Sequence, residues 1–175
     1  ATAAAPAPSV AKIPAKGADA VELDPSSTFQ FTGSKVTGKH EGKFEKFSGW
    51  VELAKGKAEG GKLAVEIDMS GVKSDDEKLT GHLLSKDFFD VAQYPKATFE
   101  TTEIKKGGDK GATHTITGNL DFHGVKQSIT FPAKIAETAK DVTADAEFVI
   151  KRSDFKIVYP GKADDLIRDE VVLKL

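Results

Sequence analysis

At 175 residues the chain has room for one domain with a substantial core and too little for two ordinary ones. Its 25 Lys and Arg stand against 27 Asp and Glu, and a net charge of -2 supplies no long-range field to hold a polyanion, which argues against a nucleic-acid partner. With no cysteine there is no disulfide, no thiolate nucleophile and no Cys-ligated zinc, and no run approaches the ~20 consecutive apolar residues of a membrane-spanning helix.

Residues 1–16 are mostly Ala, Pro, Ser and Thr, with Pro6, Pro8 and Pro14 among them and almost nothing large to bury. Residues 1–18 are therefore expected to be a disordered leader or tether ahead of a domain spanning 19–175. The first residue is Ala and not Met, as expected of a chain whose signal peptide has been removed, or equally of a cut boundary. Strand patterns then follow. Phe29 and Phe31, and next Val51 and Leu53, are pairs at alternate positions. Gly56, Gly61 and Lys62 have the spacing of a phosphate-cradling loop, but Leu63 stands where Ser or Thr should hold magnesium and a strand pattern follows instead of a helix. Gly60-Gly61 is accordingly read as a hairpin turn. Leu63, Val65, Ile67 and Met69 alternate with Ala64, Glu66 and Asp68, which puts every large apolar side chain on one face. Ser74 with Glu77 fits a capping box, and Leu79, Leu83 and Leu84 share one side of a helix predicted to end near Lys86. Beyond the turn signals Gly107-Gly108-Asp109 and Gly124 come three further alternating runs: Ile129 to Ile135, Ala144 to Ile150, and Val171 to Leu175.

One-sided antiparallel strands must bury their apolar faces in a sandwich or a closed barrel, and closure also removes exposed edges. The expected fold is all-β, an eight-stranded antiparallel barrel with one short helix in an inter-strand connection. Small residues within the strands, including Gly49, Ala97, Gly118, Ala144 and Ala146, leave room for a small ligand inside, although they serve a solid core equally well. Eleven Phe against two Tyr and one Trp suit an apolar lining, since Phe has no polar tip to satisfy.

Other chemistries find little support. His40, His82, His114 and His123 lack metal-ligand spacing and read as surface or turn residues, so no metal and no cofactor is expected. Asp75-Asp76 and Asp164-Asp165 fall in polar, turn-like stretches without the apolar pocket that raises a general acid's pKa. No nucleophile elbow or dinucleotide fingerprint is present. Only Arg152 and Arg168 offer a planar fork for a carboxylate or phosphate.

The segment His82-Leu83-Leu84-Ser85-Lys86-Asp87-Phe88-Phe89-Asp90-Val91, followed by Tyr94-Pro95 and Phe99, resembles the central motif of the YceI-like family. Further matches are Val36 to Gly42, Gly118 to Val125 and Arg152-Ser153-Asp154-Phe155, so that the resemblance covers about Asp19 to Leu175. Three positions depart from it: Ser128 in place of Pro, Lys156 in place of Gly, and Leu79-Thr80 in place of Arg-Asp. The resemblance implies a lipocalin-like barrel exported to the periplasm or another extracytoplasmic space. Its expected role is to bind, sequester or transport a polyisoprenoid, isoprenoid quinone or fatty-acyl chain, and not to act as an enzyme. The expected lining is Phe29, Phe31, Val51, Val65, Ile67, Leu120, Phe131 and Phe148 from the strands, with Phe88, Phe89 and Phe99 from the motif. A packed barrel working through its surface as a stress-related structural or interaction protein is the alternative, a lipid-modifying enzyme with His82 or His123 at the mouth a third, and a homodimer is left open.

Overall fold

Alternation along the chain becomes a curled antiparallel sheet in the computed structural model, which describes residues 13–14, 16–17, 20–109, 111–138, 141–162 and 165–175. The strands are β1 (Val21–Glu22), β2 (Gln30–Lys35), β3 (Gly38–Phe44), β4 (Phe47–Ala54), β5 (Lys57–Asp68), β6 (Val72–Ser74), β7 (Lys96–Lys106), β8 (His114–Phe122), β9 (Val125–Glu137), β10 (Val142–Lys151), β11 (Gly161–Lys162), β12 (Asp165–Leu166) and β13 (Glu170–Lys174). Eleven of them form one sheet in the order β1-β4-β5-β7-β8-β9-β10-β13-β2-β3-β6, and β11 pairs with β12 apart from it. The count is eleven and not the eight expected from sequence. The excess has a local cause, because three passes of the chain are interrupted at corners. β1 is followed by β2 along one side of the strand pair β4 and β3, and β5 runs through a 3-10 turn, Met69–Gly71, into β6 along the other. Bonds from Glu45 N to Gly71 O and from Asp68 N to Lys46 O carry the pairing across the bend.

Lys55-Gly56 joins β4 to β5 and His123-Gly124 joins β8 to β9, each with positive φ at both residues. That is the backbone of a two-residue hairpin whose twist matches its strands. Gly60-Gly61 is not a turn: it lies inside β5, beside a register shift between Glu52 and Ala54, and a Cβ at Gly61 would sit 2.6 Å from Glu52 O. Helix α1 (Glu77–Leu84) also starts later than expected. Ser74 closes β6 opposite Gly42, and it is the Asp76 carboxylate that accepts from the amides of Lys78 and Leu79. The helix ends at Leu84, with Ser85 as its C-cap.

At the other side of the wall Trp50, Ala64 and Ala20 form a small buried cluster against which Ile13 packs, and Trp50 Nε1 donates to Pro14 O at 3.1 Å. Ile13 and Pro14 fall within the stretch 1–18 expected to be a leader, of which residues 1–12, 15 and 18 lie outside the described residues.

Candidate functional site: the apolar interior

Strand register sorts the side chains before any packing is considered. Val51 pairs with Leu63, Gly49 with Val65 and Phe47 with Ile67; Val65 pairs in turn with Phe99, and Phe99 with Leu120. Further round, Ile116 pairs with Phe131, and Phe148 with Leu173, which pairs with Phe31. Directly opposed residues share a face. The alternation read from sequence therefore comes out as one mostly apolar face that also carries His114 and Gln127, while Glu66 on the opposite face is ion-paired with Lys96. The face is concave: the cluster of Phe31, Val72, Leu83, Phe88 and Ile157 gathers Phe122 of β8 and Leu173 of β13, from strands far apart in the sheet order.

Glycines hold two of its rings flat. A Cβ at Gly42 would lie 2.2 Å from Phe31 Cζ, and one at Gly118 would lie 2.6 Å from Phe99 Cζ. Each ring thus occupies space that a neighbouring strand leaves free, instead of projecting to the middle. Phe99, Phe131 and Phe148 form a ladder, with centroids 5.6 Å apart for the first pair and 4.1 Å, at an interplanar angle of 10°, for the second. Phe29 lies edge-on to Phe47 at 4.8 Å.

Of the residues expected to line the interior, Phe31, Val65, Phe88 and Phe131 are buried, whereas Phe29, Val51, Ile67, Phe89, Phe99, Leu120 and Phe148 keep part of their surface accessible. The neighbouring Phe88 and Phe89 do different things. Phe89 reaches the interior and meets Phe31, Phe44 and Phe122 at 6.0, 6.2 and 5.5 Å. Phe88 turns towards His82 and Tyr159, at 4.8 and 5.3 Å, and so ties α1 and the segment after β10 to the buried cluster that holds Phe31. Phe44 and Phe47 were missed, because the corner at Glu45-Lys46 sets them three residues apart and breaks the period of two that would have exposed them.

The polar groups are occupied structurally. His82 Nε2 lies 2.8 Å from Asp87, His40 Nδ1 lies 2.7 Å from Asp75, and His123 Nδ1 lies 2.8 Å from the Phe155 carbonyl. The Glu41 amide and His40 hold the Asp75 carboxyl below its ordinary range. His114 is not a surface residue: it is 7% exposed on the inward register of β8, with Nδ1 2.8 Å from Thr113 Oγ1. Among the described residues no three His, Asp or Glu gather as metal ligands. Arg152 spends its fork on the chain itself, donating to the carbonyls of Ile157, Ile167 and Arg168, and burial pushes its pKa down.

The profile of the YceI-like domain matches residues 22–175. The chain belongs to the YceI-like family. A UPF0312 protein of Pseudomonas fluorescens (strain SBW25) is 31% identical to this YceI-like chain over 139 residues, 76% of the chain and 71% of the relative. One from Pseudomonas putida (strain F1) is 33% identical over 126 residues, 69% and 65%. Among solved structures, Burkholderia cenocepacia BcnA superposes with a TM-score of 0.77 at 29% identity, covering 87% of this chain and 96% of that one. A polyisoprenoid binding domain from Saccharophagus degradans does so with a TM-score of 0.69 over 89% and 94%, and at 18% identity it speaks to the fold alone. In this YceI-like domain no helix among the described residues is long and apolar enough to cross a membrane.

Proposed function

We propose that the chain is a carrier or sequestering protein for a long-chain apolar lipid of the polyisoprenoid, isoprenoid quinone or fatty-acyl type, held inside the curled sheet, and that it works outside the cytoplasm. One observation carries this reading: the concave face is mostly apolar, with His114 and Gln127 among its few polar positions, yet Val51, Ile67, Phe99, Leu120 and Phe148 on it keep accessible surface instead of being packed shut. Accessible apolar surface on a concave wall is the setting in which burial supplies affinity, at about 0.8 kcal/mol per CH₂. Longer chains bind tighter on this reading, and no residue has to react. The polyisoprenoid binding domain from Saccharophagus degradans has the same fold, which makes a polyisoprenoid the first ligand to try. Native mass spectrometry of gently purified protein, before and after organic extraction, tests it. A mass increment removed by extraction, with cis-parinaric acid bound by the emptied protein, is the expected result. No increment and no binding would leave a packed barrel that works through its surface.

A further inference from the structure

β9 and β10 are paired along only part of their length. Ladder partners run from Ala133–Glu137 against Val142–Ala146, and from Glu147 to Lys151 β10 is paired with β13 on its other side. Below Ala133 the two strands separate, and a cleft of about 360 Å³ opens between them, lined among others by Gln127, Ile129, Thr130, Phe148, Ile150 and Lys151. The opening is framed at both ends. Paired strands close it above at Ala133 and Ala146, and below it the Gln127 amide donates to Asp154 O at 3.2 Å in the 3-10 turn Arg152–Phe155. Five residues of strand, roughly 16 Å, lie between these limits.

We propose that this seam is a lateral portal through which the apolar chain of the ligand reaches the interior, an inference that rests on the carrier reading above. Ile129 and Phe148 lie on both sides of the cleft and on the inward register of their strands, so the opening leads to the lining itself. Phe148 presents one ring face to Phe131, which is 3% exposed, and remains accessible itself. Outside, Ser128, Thr130 and Lys151 give a polar rim, interrupted by the exposed Val149. Passage at the helical end would require Phe89 to leave three aromatic neighbours; passage at the seam breaks no ladder hydrogen bond, because none joins the strands there among the described pairings.

The absence of cysteine makes the test clean. Ser128→Cys with Val149→Cys places two exposed thiols on opposite rims, to be bridged by a bismaleimide with a reducible tether. Uptake of cis-parinaric acid by emptied protein is followed by stopped-flow fluorescence. Bridging is expected to slow uptake about tenfold or more with the final signal unchanged, and reduction of the tether to restore the rate. Ala136→Cys with Thr143→Cys, bridged where the strands are already paired, is expected to change nothing. A single Thr130→Cys carrying a polyethylene glycol maleimide probes the same opening without a bridge, and is expected to slow uptake as well. Equal rates with the seam bridged and released, or equal slowing by the control bridge, overturn the portal while the carrier reading stands. If the unmodified protein takes up no probe, both fall together.

Discussion

At the end of the interior beside α1, Phe89 fills the space between Phe31, Phe44 and Phe122, whereas along the neighbouring wall Phe99, Phe131 and Phe148 stack as a ladder supplied by strands alone. The first closure is lent by a connection: Phe89 follows a two-turn helix and is anchored through Phe88 to His82 and Tyr159. The second belongs to the sheet, and its rings cannot move unless strands do. A plug and a wall made from the same residue type thus respond differently to change.

The largest effect is expected where the wall is dry. Val65→Asp places a charge at a position only 6% exposed and should cost about 4 kcal/mol or more, enough to unfold the chain, while Glu66→Lys on the other face, which breaks the pair with Lys96, should cost about 1–2 kcal/mol. Denaturant unfolding compares them, and similar losses would dissolve the distinction between faces. Phe89→Ala should cost about 3 kcal/mol in the same assay and, because it removes the plug and not the wall, should also quicken release of bound cis-parinaric acid. Within the ladder, Phe131→Trp overfills a buried site and should lose about 1–3 kcal/mol of stability. Phe148→Trp, beside accessible space, should keep the stability of the empty protein and weaken lipid binding in titration. Equal destabilisation by both would argue for a packed interior.

Smaller effects test the segment that holds the plug. Lys156 has φ 59° and ψ 27° at the end of the turn Arg152–Phe155, in the left-handed region that favours glycine. Lys156→Gly should therefore stabilise by up to about 1 kcal/mol, read as a rise in Tm. Asp169 accepts from the amide and hydroxyl of Ser153, which hold its carboxyl below the ordinary 3.8. A carboxyl with a lowered native pKa contributes stability above about pH 4 and loses it as pH falls through the native value. Protection factors of the amides around Ser153, with the intrinsic pH dependence of exchange divided out, should fall on acidification through that window and stay level from pH 5 to 7.

Alternation made the wall legible, since a period of two needs only neighbouring residues to be read. It failed where the chain turns a corner: Phe44 and Phe47 share a face three positions apart, and Met69–Gly71 splits what reads as one strand into β5 and β6. The helix is capped by Asp76 and not by Ser74 because β6 pairs with β3, a contact distant in sequence that takes Ser74 into a strand. Gly60-Gly61 looked like a turn for the same reason; what places it inside β5 is the register with β4. Arg152 gave no sign that three carbonyls would claim its fork, and the partial separation of β9 from β10 left no mark in either strand's pattern.

The single tryptophan of the chain lies on the outer wall with Ala20 and Ala64, 7% exposed, its indole bonded to the Pro14 carbonyl. Its light therefore reports on the wrong side of the sheet for a ligand and the right side for the residues around Ile13. Intrinsic emission should redden when that segment lifts away and remain silent as the interior fills, giving the molecule two optical channels that do not mix.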